Sequence, residues 1–190
     1  MADLERLQDD LGFVRRSVTQ SGSHRNSPAI YFLWSVLVLA GFALVDVRPA
    51  WVGLYWTIAG PLGGMLSGYL GWRHGVRLGQ INRDVGSRYA WHWGAFMGAT
   101  FLVILMIGRG LSFEALGPIM LVLLAFSYFL AGVHIDPPFR WIGLLTAAGY
   151  VAVLTGAAYA WSMVGVALAV AFIVSGIREA RSRVVEAHSV

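Results

Sequence analysis

The chain alternates long apolar stretches with short polar breaks, and the polar breaks carry almost all of its charge. A helix that crosses a bilayer needs roughly 20 mainly apolar residues. Six segments meet or approach that length. The first runs from about Pro28 to Val45, the second from about Pro49 to Trp72 and the third from about Ala90 to Gly108. The fourth covers about Phe113 to Val133, with Pro118 in its early turns. The fifth opens at Asp136 and Pro137 and reaches about Ala157; the sixth runs from about Trp161 to Ile177. The last two share one charge-free stretch from Trp141 to Ile177, too long for a single span. The pattern therefore predicts a tight hairpin near Ala158–Ala160. Ser27 followed by Pro28 suits a helix start, because serine favours the cap and proline the first turn.

The fold class these elements predict is all-α: a polytopic membrane bundle of six transmembrane helices. Residues 1–26 form a cytoplasmic amphipathic helix and joint, 27–178 the transmembrane domain and 179–190 a short cytoplasmic tail. Within the first segment Leu4, Leu7, Leu11, Val14 and Val18 repeat at three- and four-residue spacing, which places them on one helical stripe. Asp3, Glu5, Asp9, Asp10, Arg15 and Arg16 occupy the other positions. The stripe predicts a surface for a protein partner or for self-association through residues 1–20. Its acidic first half disfavours anionic lipid headgroups. "SGSHRNS" (Ser21–Ser27) then acts as a short joint.

Charge fixes the expected orientation. All basic residues are arginine, 14 in all. With the N-terminus in the cytoplasm, twelve lie in inside segments and only Arg48 and Arg109 lie outside. That asymmetry is the positive-inside pattern, with both termini inside. Within GWRHGVRLGQINRDVGSRYAWHWG (residues 71–94), residues 73–89 become the main cytoplasmic loop, and Trp72, Trp91 and Trp93 fall where an interfacial aromatic belt belongs. The expected location is a bacterial inner membrane, with the lipid bilayer as solvent.

Composition narrows the functions. Hydrophobic residues make up 57% and charged residues 13%, with a mean hydropathy of +0.66; a soluble domain has about 25% charged residues. The basic pI of 9.9 does not imply nucleic acid, because the arginines form no dense run. Absence of cysteine excludes disulfides, thiolate metal sites and thiol nucleophiles. The spans hold few ionisable groups, so no proton relay or ion pathway is evident. No Ser/His/Asp set, HExxH or phosphate-binding loop appears, so no enzyme and no cofactor is expected.

Two glycine ridges stand out. Gly60, Gly64 and Gly68 recur every four residues in the second span, continued by Gly71, and Gly94 with Gly98 repeats the spacing in the third. Small residues let helix backbones approach closely in lipid. The spacing predicts that the second span is the central packing helix, kinked at Pro61. A candidate 3+3 inverted repeat adds to this. VDVRPAWVGL (residues 45–54) resembles VHIDPPFRWIGL (residues 133–144), and "YAW" recurs at Tyr89–Trp91 and Tyr159–Trp161. Proline and tryptophan are common at any membrane interface, so the match is short; inverted repeats nevertheless build many transporters. Finally, His74, His92 and His134 fall at cytoplasmic helix ends, a candidate metal or haem donor set. Three functions follow in order of preference: an accessory or regulatory membrane subunit, a compact carrier or channel for a neutral or apolar solute, and a histidine-based metal or haem subunit.

Overall fold

A computed structural model describes residues 27–77, 83–106, 109–110 and 113–187. The amphipathic stripe Leu4, Leu7, Leu11, Val14 and Val18 lies outside the described residues. Among the described residues the chain is helical throughout, with six α-helices and no strand: α1 (Pro28–Val47), α2 (Val52–Arg77), α3 (Arg83–Leu105), α4 (Phe113–His134), α5 (Pro138–Leu154) and α6 (Ala160–Ala187). A 3-10 turn, Pro49–Trp51, joins α1 to α2.

Proline sets several of these limits. Pro28 opens α1 after an extended Ser27, and α1 stops at Arg48 because the residue before Pro49 is pushed out of the helical region. Pro61 and Pro118 lie inside α2 and α4, and both helices continue past them. The turn between α5 and α6 holds two left-handed residues, Gly156 (φ 68°) and Tyr159 (φ 60°). Glycine adopts that conformation freely, whereas tyrosine does so only under constraint. The expected hairpin is thus present, with its turn over residues 155–159.

Four helices are long and apolar enough to cross a membrane: α1, α3 with Met106, α4 over Ala115–His134 and α6 over Ala160–Ser182. A helical membrane bundle is therefore plausible on length and composition. The other two fall short for different reasons. Seven glycines dilute the apolar content of α2, and α5 has only 17 residues, about 26 Å of helix against a hydrocarbon core of about 30 Å.

The core is built from α1, α4, α5 and α6. Tyr31, Val38 and Phe42 of α1 meet Leu121 and Tyr128 of α4, Phe139 and Ile142 of α5, and Val164, Leu168 and Phe172 of α6. The most extensive interfaces are α1 with α6 and α4 with α5; α2 rests on α1, and α3 on α4. In space the helices run α2, α1, α6, α5, α4, α3. The second helix is therefore peripheral rather than central, and only Ala59 and Gly63 of it are buried. The four-residue glycine spacing expected to pack α2 at the centre instead leaves Gly60, Gly64 and Gly68 without a neighbour among the described residues.

Candidate functional site

Close backbone approach in this bundle is made by other glycines. A β-carbon on Gly143 of α5 would fall 2.5 Å from the Phe129 nitrogen and 2.9 Å from the Ala125 carbonyl oxygen of α4. One on Gly165 of α6 would fall 2.6 Å from Phe42 Cβ, and one on Gly63 of α2 2.7 Å from Leu37 Cδ1. Gly132 and Gly41 are more crowded still, against the Arg140 backbone and the Trp56 ring. By contrast, among the described residues nothing lies within 4 Å of a β-carbon placed on Gly60, Gly64, Gly68, Gly94 or Gly98, and Gly71 meets only Ile30 Cδ1 at 3.9 Å. These six ridge positions form open faces on the two outermost helices. The rest of α2 and α3 agrees: α3 has no buried residue, and Leu62, Met65, Trp91 and Phe101 are exposed.

At the end of the bundle where α1 begins, a polar and aromatic cluster closes the core. The Tyr31 hydroxyl donates to Asp136 Oδ2 at 2.5 Å, a contact spanning 105 residues of sequence. Both groups are buried. The Tyr31 ring stacks on Phe139 at 5.8 Å, Phe139 lies parallel to Tyr128 at 5.7 Å, and Trp93 of α3 meets Tyr128 edge-on at 5.6 Å. The rings supply apolar packing, and the phenol satisfies a carboxylate that lipid or core would otherwise penalise. One strand of sequence logic is displaced here. The "YAW" match aligns Trp91 with Trp161; Trp161 packs on Phe42 at 5.9 Å, but Trp91 points outward and Trp93 makes the inward contact.

The opposite end carries the second carboxylate. Asp46 Oδ2 accepts from the Ser162 backbone N–H at 2.7 Å and from its hydroxyl at 2.6 Å. A carboxylate from α1 thus caps the first turn of α6, where the helix dipole favours negative charge. The α1–α2 seam is held by Trp34 Nε1 donating to Ser67 Oγ at 2.9 Å and by the Tyr55 hydroxyl donating to the Leu37 carbonyl at 2.7 Å.

The three histidines do not converge. His92 Nε2 lies 3.1 Å from Ser127 Oγ, bridging α3 to α4, and His134 ends α4 within electrostatic reach of it. His74 belongs to the last turns of α2, whose helix neighbour is α1. Among the described residues no group of three His, Asp or Glu side chains is placed to hold a metal ion. Tyr31, Gly143 and Gly63 carry structural roles that sequence reasoning did not assign. Asp136 is visible in the sequence only as the opening of a helix, with nothing to indicate Tyr31 as its partner.

Comparison with protein-family models, with curated proteins and with solved structures finds no match.

Proposed function

We propose that this protein is an accessory membrane subunit that docks a second membrane protein through the glycine faces of α2 and α3. The open ridge at Gly60, Gly64 and Gly68 carries this reading. A glycine in a helix interior costs about 0.5–1 kcal/mol relative to alanine. Three at four-residue spacing with no neighbour among the described residues suit a face reserved for another helix. The amphipathic stripe at residues 1–20 would add a second contact on the cytoplasmic side. In this proposal all six helices cross a bacterial inner membrane with both termini inside, and twelve of the 14 arginines occupy cytoplasmic segments.

The test is co-purification of full-length protein from its own membranes. Replacing Gly60, Gly64 and Gly68 together by leucine, or deleting residues 1–20, should each release the partner while the bundle stays inserted. Retention of every partner by both variants would refute the docking role. Reporter fusions after Asn26, Arg48, Arg83, Arg109, Arg140 and Ala187 check the crossings; a periplasmic signal after Ala187 would remove the even count.

A carrier built on an inverted repeat finds partial support. Exchanging α1, α2 and α3 for α4, α5 and α6 maps α1–α2 onto α4–α5 and α1–α6 onto α3–α4, all of which are neighbours, but maps the neighbours α5 and α6 onto α2 and α3, which share no comparable interface. Such carriers bind at the midplane where the halves meet. Here that region is packed with Val38, Ile142, Thr146 and Leu168, each buried, and the Thr146 hydroxyl is spent on the Ile142 carbonyl. The filled core favours the docking subunit.

A further inference from the structure

A groove of about 880 Å³ runs along the outer side of the α1–α2 seam. Its walls are apolar, with Leu33, Leu37, Leu54, Ile58, Leu62 and Leu66 along its length, and Arg48 and Trp51 line its mouth. The groove lies on the opposite side of α2 from the open glycines, as helical spacing requires for positions 58, 62 and 66 against 60, 64 and 68. It is therefore separate from the proposed docking face.

We propose that this groove holds one acyl chain of an anionic phospholipid, with the lipid phosphate on Arg48. Three observations converge. Leu33 to Arg48 spans about 22 Å of helix, more than the roughly 15 Å depth of one leaflet, so a chain entering at headgroup level stays within the groove for its whole length. Arg48 and Trp51 are exposed at one end, the residue pair that sits at a membrane interface. The carboxylate closest to it in sequence, Asp46, is committed to Ser162 on α6, and Arg48 forms no ion pair among the described residues. A guanidinium in that setting recognises a phosphate oxygen pair.

The experiment is native mass spectrometry of the full chain in non-ionic detergent with equal amounts of phosphatidylglycerol and phosphatidylcholine of identical acyl chains. The wild type should carry the anionic lipid in about fivefold excess, the discrimination one basic residue at an anionic surface supplies. Arg48→Gln should bring the ratio to about one, whereas Arg109→Gln, at a distance from the groove, should leave it unchanged. Leu62→Trp, which fills the groove, should lower both lipids together. Equal binding of the two lipids by wild type, or an unchanged ratio in Arg48→Gln, overturns the proposal. So does a lipid-free dimer cross-linked through Ile58→Cys, which would assign the groove to a second copy of the chain.

Discussion

Alanine at Gly143 and alanine at Gly64 should have opposite effects on the stability of the bundle. At Gly143 the new methyl would meet the Phe129 nitrogen at 2.5 Å, the Phe129 Cα at 2.8 Å and the Ala125 oxygen at 2.9 Å. All three are backbone atoms of α4, so no rotamer change relieves the clash and the two helices must separate. Overpacking of a filled interface costs about 1–3 kcal/mol, offset by about 0.5–1 kcal/mol for replacing glycine in a helix. The net loss is about 1–2 kcal/mol. At Gly64 no described residue lies within 4 Å, so only the favourable term remains and the variant should gain about 0.5–1 kcal/mol. The two variants then differ by about 2 kcal/mol, near a thirty-fold ratio in the unfolding equilibrium. Unfolding by sodium dodecyl sulfate in mixed micelles, followed by circular dichroism, measures both. Should Gly143→Ala match the wild type, α4 and α5 do not cross at backbone distance. Should Gly64→Ala destabilise the isolated chain, its glycine face is covered from within and the docking role loses its basis.

Two further outcomes follow from the paired carboxylates. Tyr31→Phe keeps the ring contacts with Phe139 and Phe172 and removes the donor to Asp136; the expected loss is about 1–2 kcal/mol in the same assay, and a variant as stable as wild type would mean that this bond is not formed in the membrane. Asp46→Ala removes the acceptor of both Ser162 bonds and should cost about 1 kcal/mol, with faster amide exchange confined to the first turn of α6; unchanged protection there would show that another group caps the helix.

Hydropathy made the six helices legible because each apolar run ends at proline, glycine or a charge cluster. It cut short the helices that continue in polar sequence. α3 begins at Arg83, seven residues before its apolar run, because Asp84 in the first turn suits the dipole and no breaker intervenes. α6 extends to Ala187, since its arginine-rich end contains helix formers and no proline. Pairing between distant residues was not legible. Nothing local links Tyr31 to Asp136, and the glycine spacing that singles out Gly64 is silent on why Gly143 is the one against a neighbour. The histidines illustrate the same limit: similar depth in the chain's predicted topology put His74, His92 and His134 on one level, but lateral placement decides whether donors meet.

The partnership of α1 with α6 has a consequence for biogenesis. About 110 residues separate the end of one from the start of the other, and at 5–20 residues per second a ribosome needs on the order of ten seconds to bridge them. During that interval Asp46 has no Ser162 to accept from, and the broadest contact face of α1 stays bare. A message truncated anywhere before α6 would leave a chain unable to close the α1–α6 interface, recognisable to a protease by that waiting surface.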